Sequence, residues 1–335
     1  MNVPPLLFAP AATRVFAERM AARLGLELAP LEEREYEGGE HKTRPLVSVR
    51  GRSVYVVQAL SGDAVASAND RLCRALFLVA GLKDAGAARV TACLPYLAYA
   101  RKDRRTKERD PVNSRYVAQL LEAVRVDHVV TLDVHNIAAF ENAFRCSVDL
   151  LEAAPLLAQH VVAAATGEPL TIVSPDIGGA KRAQRVQDLV AVRRPLDVEL
   201  AVFEKRRSGG VVSGELLVGP VAGRHVVIVD DLIAAGSTVL RATAACRAAG
   251  ALSVTAFATH GVFAPGAERL LGAAGPNRLI VTDTLLPTRL HPPPADERKL
   301  EVLAASGLFA EAVRRLEAGE SVVALREMEH KPPQG

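Results

Sequence analysis

The chain has 335 residues, long enough for two domains of ordinary size, each burying its own core. It is 49% hydrophobic and 24% charged with a formal net charge of +3, a globular composition too near neutrality to argue for a nucleic-acid or membrane partner. No apolar run approaches the ~20 residues of a membrane-spanning helix. The start, "MNVPPLLFAP", lacks the basic and long apolar regions of a signal peptide. Four scattered cysteines (Cys73, Cys93, Cys146, Cys246) form no CxxC pair and read as buried thiols rather than disulfides or zinc ligands. Together these place the chain in the cytoplasm.

Short apolar runs alternate with helical patterns along the whole chain. Strands are expected over Leu6–Ala9, Ser53–Gln58, Arg89–Leu94, His128–Leu132, Leu170–Ser174, Glu199–Phe203, His225–Val229, Ser253–Thr259 and Arg278–Val281. Helices are expected over Ala11–Leu24, Asn69–Ala85, Ser114–Ala123, Leu150–Ala165, Ala180–Leu189 and Ser237–Ala248. This rhythm predicts an α/β protein with mainly parallel sheets covered on both faces by helices. Runs such as "HVVIV" are apolar throughout, as a strand buried on both faces requires. Each half carries a strand into a basic loop: "RVTACLPYLAYARKDRR" in the first, "LAVFEKRRSGG" in the second. We therefore expect domains at 1–147 and 148–303. A last helix, Ser306–Ala318, lies in a 304–320 segment able to pack back on the first domain. The proline-rich 285–299 stretch reads as a surface loop, and 328–335 as a disordered tail.

The chemistry concentrates in "HVVIVDDLIAAGSTVLRA". An apolar strand ends in Asp230 and Asp231, and Gly236, Ser237 and Thr238 open a helix. Free amides and the macrodipole at a helix N-terminus attract phosphate. Adjacent carboxylates can accept hydrogen bonds from the vicinal hydroxyls of a sugar, and open α/β sheets bind ligands at this strand edge. Taken alone, the stretch would also serve as a capped helix beside a solvated acidic turn. The chain has no P-loop and no dinucleotide-binding glycine fingerprint. Two other segments concentrate positive charge: the run "RKDRRTKERD" beginning at Arg101, and Lys205, Arg206 and Arg207. Each would otherwise read as a solvated loop.

"VVIVDDLIAAGST" resembles the ribose-binding signature of the ribose-phosphate pyrophosphokinases. "YARKDRR", "TLDVHN", "VSPDIGGAKRA", "FEKRR" and "SGLFAEAVRRL" resemble further motifs of that family in the same order. The resemblance spans residues 5 to 320. It implies two phosphoribosyltransferase-like domains, ATP and Mg²⁺, and transfer of the diphosphoryl group of ATP to O1 of ribose 5-phosphate. It assigns Arg101 and Lys102 to ATP, and Tyr36 and Glu40, within "YEGGE", to adenine across a subunit interface. Asp230, Asp231, Gly236, Ser237 and Thr238 would hold the ribose phosphate, and Lys205 and Arg207 would be catalytic on a glycine-rich closing hairpin. His135 and Asp176 would ligate Mg²⁺, histidine being the less typical ligand for so hard a cation. The resemblance also implies a homo-oligomer built from dimers, up to a hexamer.

The chain departs from the family where Ala234, Ala235, Gly38 and Lys102 replace aspartate, threonine, aspartate and glutamine, and around "HNIAAFENAF", where the family has regulatory glutamines. These departures fall on substrate and effector contacts, whereas the metal and hairpin residues are kept. The reading is therefore a competent enzyme with a shifted sugar-phosphate or nucleotide preference. Its alternatives are a non-catalytic partner subunit and, further off, a phosphoribosyltransferase.

Overall fold

The structure, a computed structural model, describes residues 3–164, 167–193, 197–208, 211–286, 290 and 299–326. The chain divides into two compact units, one of Met1–Leu151 with Ala305–Leu325, the other of Glu152–Ala304 with Arg326–Gly335.

The first unit is built on a parallel sheet of β1 (Leu6–Phe8), β4 (Ser53–Val57), β5 (Arg89–Leu94), β6 (His128–Leu132) and β7 (Ser147–Leu151), in that spatial order. Its helices are α1 (Arg14–Leu24), α2 (Ala68–Asp84), α3 (Asn113–Ala123), α4 (Ile137–Ala143) and α8 (Ser306–Ala318). A separate antiparallel ribbon pairs β2 (Leu31–Glu35) with β3 (His41–Pro45). The α2 start shows a capping box. Ser67 Oγ accepts from the Asp70 amide at 3.2 Å, and the Asp70 carboxylate accepts from the Ser67 amide at 2.7 Å, satisfying amides that a helix leaves without internal partners.

Packing of α8 on α1 brings Phe309 against Phe16 edge-to-face, ring centroids 5.4 Å apart. The same helix is pinned to β4 by Glu317, whose Oε1 accepts 2.7 Å hydrogen bonds from both the Ser53 and Tyr55 hydroxyls. Glycine ends each helix in left-handed backbone, Gly25 after α1 and Gly319 after α8.

The second unit carries a seven-stranded sheet in the order β10–β9–β8–β11–β12–β13–β14. These are β8 (Leu170–Ser174), β9 (Val198–Ser208), β10 (Val211–Val218), β11 (His225–Ile233), β12 (Ser253–Gly261), β13 (Arg278–Thr282) and β14 (Leu300–Leu303). All its pairings are parallel except the β9–β10 hairpin. Its helices include α5 (Ala154–Ala164), α6 (Ala180–Arg193) and α7 (Ser237–Ala248). After β8 the chain passes through α6 to β9 on one side, then returns to β11 on the other. The strand order thus reverses between β8 and β11, a topological switch point of the kind at which open α/β sheets bind ligands beyond the strand C-termini.

Several expectations change. The helix expected over Leu150–Ala165 is a strand end followed by α5, because "SVDLL" completes the first sheet against β6. The first unit consequently runs through Leu151 rather than ending at 147. β11 continues past Val229 to Ile233, so the two aspartates lie within the strand, Asp230 opposite Ala258 of β12. β9 extends to Ser208 and pairs with β10, which had no counterpart in the reading of the sequence. Cys93 and Cys246 are buried free thiols, while Cys73 and Cys146 are only half-buried. Most of the 285–299 stretch, and all of 328–335, fall outside the described residues. Among the described residues no helix is long and apolar enough to cross a membrane.

Candidate functional site

The switch point of the second unit gathers chemistry from three segments. β11 pairs with β8 only as far as Ile228 opposite Val173, whereas its pairing with β12 continues to Ile233 opposite Gly261. The strand therefore carries Asp230 and Asp231 beyond the end of β8 while still held by β12. Asp231 is 5% exposed and its amide donates to Asp230 Oδ1 at 2.9 Å. Burial, and then the neighbouring Asp231, push the Asp230 carboxyl up from 3.8 to about 8, with Arg182 opposing. Both causes favour a proton held by the pair, which would let it offer a sugar a hydroxyl donor as well as carboxyl acceptors. Arg182, near the start of α6, places Nη1 3.8 Å from Asp231 Oδ1.

Beyond β11 the loop turns tightly. The Ile233 and Ala234 carbonyls accept from the Phe263 and Ala264 amides at 3.0 and 3.2 Å. Gly236 then caps α7 at φ 77°, with no side chain of its own to occupy the helix's first amides. A Cβ at Gly236 would stand 2.6 Å from Leu270 Cδ1, so both backbone angle and space demand glycine. Ser237 and Thr238 begin the helix, and Ala235 is exposed at the loop tip.

The segment after β8 forms a second turn. Ser174 Oγ donates to the Asp176 carbonyl at 2.6 Å, and the Gly179 amide donates to Asp176 Oδ1 at 2.8 Å. The side chain of Asp176 is exposed. Gly179 is required by closeness, since its Cβ would meet Ser174 Oγ at 2.8 Å. On the β9–β10 hairpin, Lys205 stands opposite Glu215 and Arg207 opposite Val212; the side chains of 204–215 lie outside the described residues.

In the first unit the sequence-predicted residues occupy two places. Tyr36 and Glu40 bound the turn of the β2–β3 ribbon, where the Tyr36 amide donates to the Glu40 carbonyl at 2.8 Å. The Tyr36 ring is exposed, with the Arg34 guanidinium 5.1 Å from its centroid. Arg101 and His135, both exposed, lie beyond the C-terminal ends of β5 and β6. Their loops are tied by Asn136 Nδ2, which donates to Asp103 Oδ2 at 2.7 Å. Lys102 has its Nζ 2.6 Å from Asp110 Oδ2.

Reading the sequence passed over Arg182, Asn136 and Asp110. Arg182 stood within the quoted "VSPDIGGAKRA", and a cation one helical turn past the Gly178–Gly179 pair was the available signal. Asp110 gave none. Among the described residues no three His, Cys, Asp or Glu side chains gather as a metal-binding group.

Comparison with known proteins agrees with this architecture. Residues 6–124 match the model for the N-terminal domain of ribose phosphate pyrophosphokinase, and residues 210–326 match that for the phosphoribosyl synthetase-associated domain. The chain is 35% identical over 321 residues to a ribose-phosphate pyrophosphokinase of Pasteurella multocida, covering 95% of this chain and 98% of that one. It is 34% identical over 325 residues to the one of Haemophilus influenzae, with the same coverage. Its fold is similar to the crystal structure of phosphoribosylpyrophosphate synthetase from Mycobacterium smegmatis, at TM-score 0.84 and 31% identity over 95% of this chain and all of that one.

Proposed function

The chain belongs to the ribose-phosphate pyrophosphokinase family, and from that premise we propose that it transfers the diphosphoryl group of ATP to O1 of ribose 5-phosphate, yielding phosphoribosyl diphosphate (PRPP) and AMP. The observation that carries this reading is the switch point, where a carboxyl pair on β11, Asp231 buried and Asp230 partly so, leads within a few residues to the uncapped start of α7. That spacing suits a phosphorylated pentose, with hydroxyls on Asp230 and Asp231 and the 5-phosphate on the α7 amides, Ser237 and Thr238.

In the reaction the sugar's O1 forms a bond to the β-phosphorus of ATP, the bond from that phosphorus to the α,β-bridging oxygen breaks, AMP leaves, and the O1 proton is released. Such a transfer depends chiefly on alignment and on neutralising the charge that develops. We assign the sugar's alignment to Asp230 and Asp231, and phosphate contact in the nucleotide to Arg101, whose fork engages two phosphate oxygens. Tyr36 would stack on adenine and Glu40 accept its hydrogen bonds, from a neighbouring copy of the chain, which makes the enzyme a homo-oligomer. Lys205 and Arg207 would neutralise charge on the transferring group.

Mg²⁺ fits as a hydrated ion arriving on ATP phosphates. Asp176 offers one exposed carboxylate and His135 one imidazole, whereas no protein cage gathers among the described residues. That is the usual pattern for a cation that keeps several waters. Bound there, it would screen the polyphosphate and polarise its oxygens.

Ala234 and Ala235 leave the phosphate loop with backbone amides, Ser237 and Thr238 but without the family's acidic and hydroxyl side chains. Losing one hydrogen bond to a charged phosphate costs roughly 1.5–3 kcal/mol, which weakens sugar binding without abolishing it and leaves room for a different pentose phosphate. A partner subunit without activity is not favoured, since the relatives matched along nearly the full chain are named enzymes. Both substrates are metabolites of the cytoplasm, where we place the enzyme. The test is a panel of sugar phosphates with ATP and Mg²⁺, following AMP release. AMP formed with ribose 5-phosphate supports the assignment; AMP formed only with another sugar phosphate overturns that substrate, and none with any overturns the enzyme.

A further inference from the structure

The basic loop of the first unit is folded around a single oxygen. Asp110 Oδ2 accepts from Lys102 Nζ at 2.6 Å, from Thr106 Oγ1 at 2.7 Å, and from the Thr106 and Lys107 amides at 3.0 Å each. Lys102, then Thr106, hold the Asp110 carboxyl far below its ordinary range. The loop's ends are fixed as well. The Lys102 amide donates to the Tyr99 carbonyl at 3.1 Å, and the Lys102 carbonyl accepts from Ser114 at the start of α3 at 3.2 Å. Tyr99 and Arg109 both turn the backbone at positive φ, 63° and 62°. On the far side Asp103 is held by Asn136, whose Oδ1 also caps α4 through the Ala139 amide at 3.1 Å.

This arrangement sorts the loop's cations into two kinds. Lys102 is turned inward onto Asp110, while Arg101, Arg104, Arg105, Lys107 and Arg109 are exposed. Five exposed cations in so short a loop repel one another, and an unfolded loop would have to be ordered when the nucleotide binds. A carboxylate at its centre provides that order in advance.

We propose that Asp110 is a positioning residue for the nucleotide: paired with Lys102, it holds the loop so that Arg101 is presented to ATP phosphates, and Lys102 belongs to the loop's scaffold rather than to the ATP contact set. The inference rests on the pyrophosphokinase reading for its kinetic consequence, but the scaffold itself is independent of it. Were Asp110 only a surface ion-pair partner, its removal would shift stability slightly and leave substrate affinity alone.

The experiment is a double-mutant cycle on the full-length enzyme, with Lys102→Met, Asp110→Ala and the combination. PRPP formation is measured against ATP at saturating ribose 5-phosphate, alongside the rate of tryptic cleavage at the loop's own arginines and lysines. The expected result for Asp110→Ala is a KM for ATP raised about tenfold, the energy of one charge-assisted hydrogen bond lost on binding, with kcat and the KM for ribose 5-phosphate within about twofold. Tryptic cleavage between 104 and 109 accelerates in step. The double variant is no worse than Asp110→Ala alone, because the two side chains act as one unit. Multiplying effects of the two substitutions would overturn the proposal, showing that Lys102 meets the nucleotide by itself. So would an unchanged KM for ATP in Asp110→Ala. Should Asp110→Ala fail to fold, Asp110→Asn keeps size and one acceptor and gives the same ordering at smaller amplitude. If the wild-type chain makes no PRPP, the functional reading fails, and the tryptic rates of wild type and Asp110→Ala alone decide the scaffold.

Discussion

The acidic strand end of the second unit and the basic loop of the first reach their order by opposite means. Asp230 and Asp231 stand on a strand hydrogen-bonded to β12 through Ile233, above a core of Ile228, Val239 and Leu270. Their geometry is inherited from the sheet. Arg101 and its neighbours stand on an exposed loop whose shape depends on one carboxylate, Asp110, and one amide, Asn136. The difference teaches where this molecule can be altered without loss of its fold. Substitutions in the loop act on binding with little cost elsewhere, whereas the strand end couples binding to stability.

The largest expected effect lies on the β9–β10 hairpin. Replacing Lys205 and Arg207 together by alanine should lower kcat by about a thousandfold or more while the fold persists, since one preorganised donor is worth roughly a hundred- to thousandfold. Unchanged turnover would remove the β9–β10 hairpin from the mechanism. At the acidic end, Asp231→Ala should cost about a hundredfold in kcat/KM for ribose 5-phosphate and lower Tm as well, because Arg182 loses its carboxylate partner and a charged hydrogen bond to the sugar is lost. An effect on ATP alone would break the division between the two ends. Smaller, and opposite in sign, Ala235→Thr restores a hydroxyl to the phosphate loop and should lower the KM for ribose 5-phosphate up to about tenfold. A KM unmoved or raised would mean that the phosphate does not sit on this loop.

A different kind of effect, on stability rather than turnover, is one of pH. The Asp230 carboxyl is raised from 3.8 to about 8, so between those values the folded form keeps a proton that the unfolded chain releases. Its stabilising contribution is therefore complete below 3.8 and fades as pH rises through about 8. Denaturation midpoints measured from acid to mildly alkaline pH should fall more for wild type than for Asp230→Asn, which has no proton to lose. Parallel pH profiles would contradict the buried pair.

What the sequence made legible follows from burial. Strands buried along nearly their whole length, such as Leu170–Ser174 and the first half of β11, could be placed because their mainly apolar runs fit a sheet covered on both faces. The ribbon "LEERE" with "HKTRP" could not, since its charged residues carry no apolar alternation, and so the turn holding Tyr36 and Glu40 had no predicted frame. The last two residues of "SVDLL" run into the apolar start of α5 and so fall in the expected helix Leu150–Ala165, for short apolar runs do not distinguish the two states. The glycine-capped turn from β11 into α7 was readable from glycine and hydroxyl spacing, a local property. The Lys102–Asp110 pair and the approach of Arg182 to Asp231 were not: the first spans a loop without periodicity, and the second joins the start of α6 to the end of β11 across the switch point. Resemblance assigns Lys102 to ATP because it reports position in a motif, and position in a motif does not give the side chain's partner within the loop.

One measurement tests the central claim most directly: incubation of the purified chain with Mg²⁺, ribose 5-phosphate and ATP labelled in its β-phosphate. The account predicts equal amounts of unlabelled AMP and of PRPP carrying the label. Label appearing in ADP or free diphosphate, with no phosphoribosyl product, would contradict it.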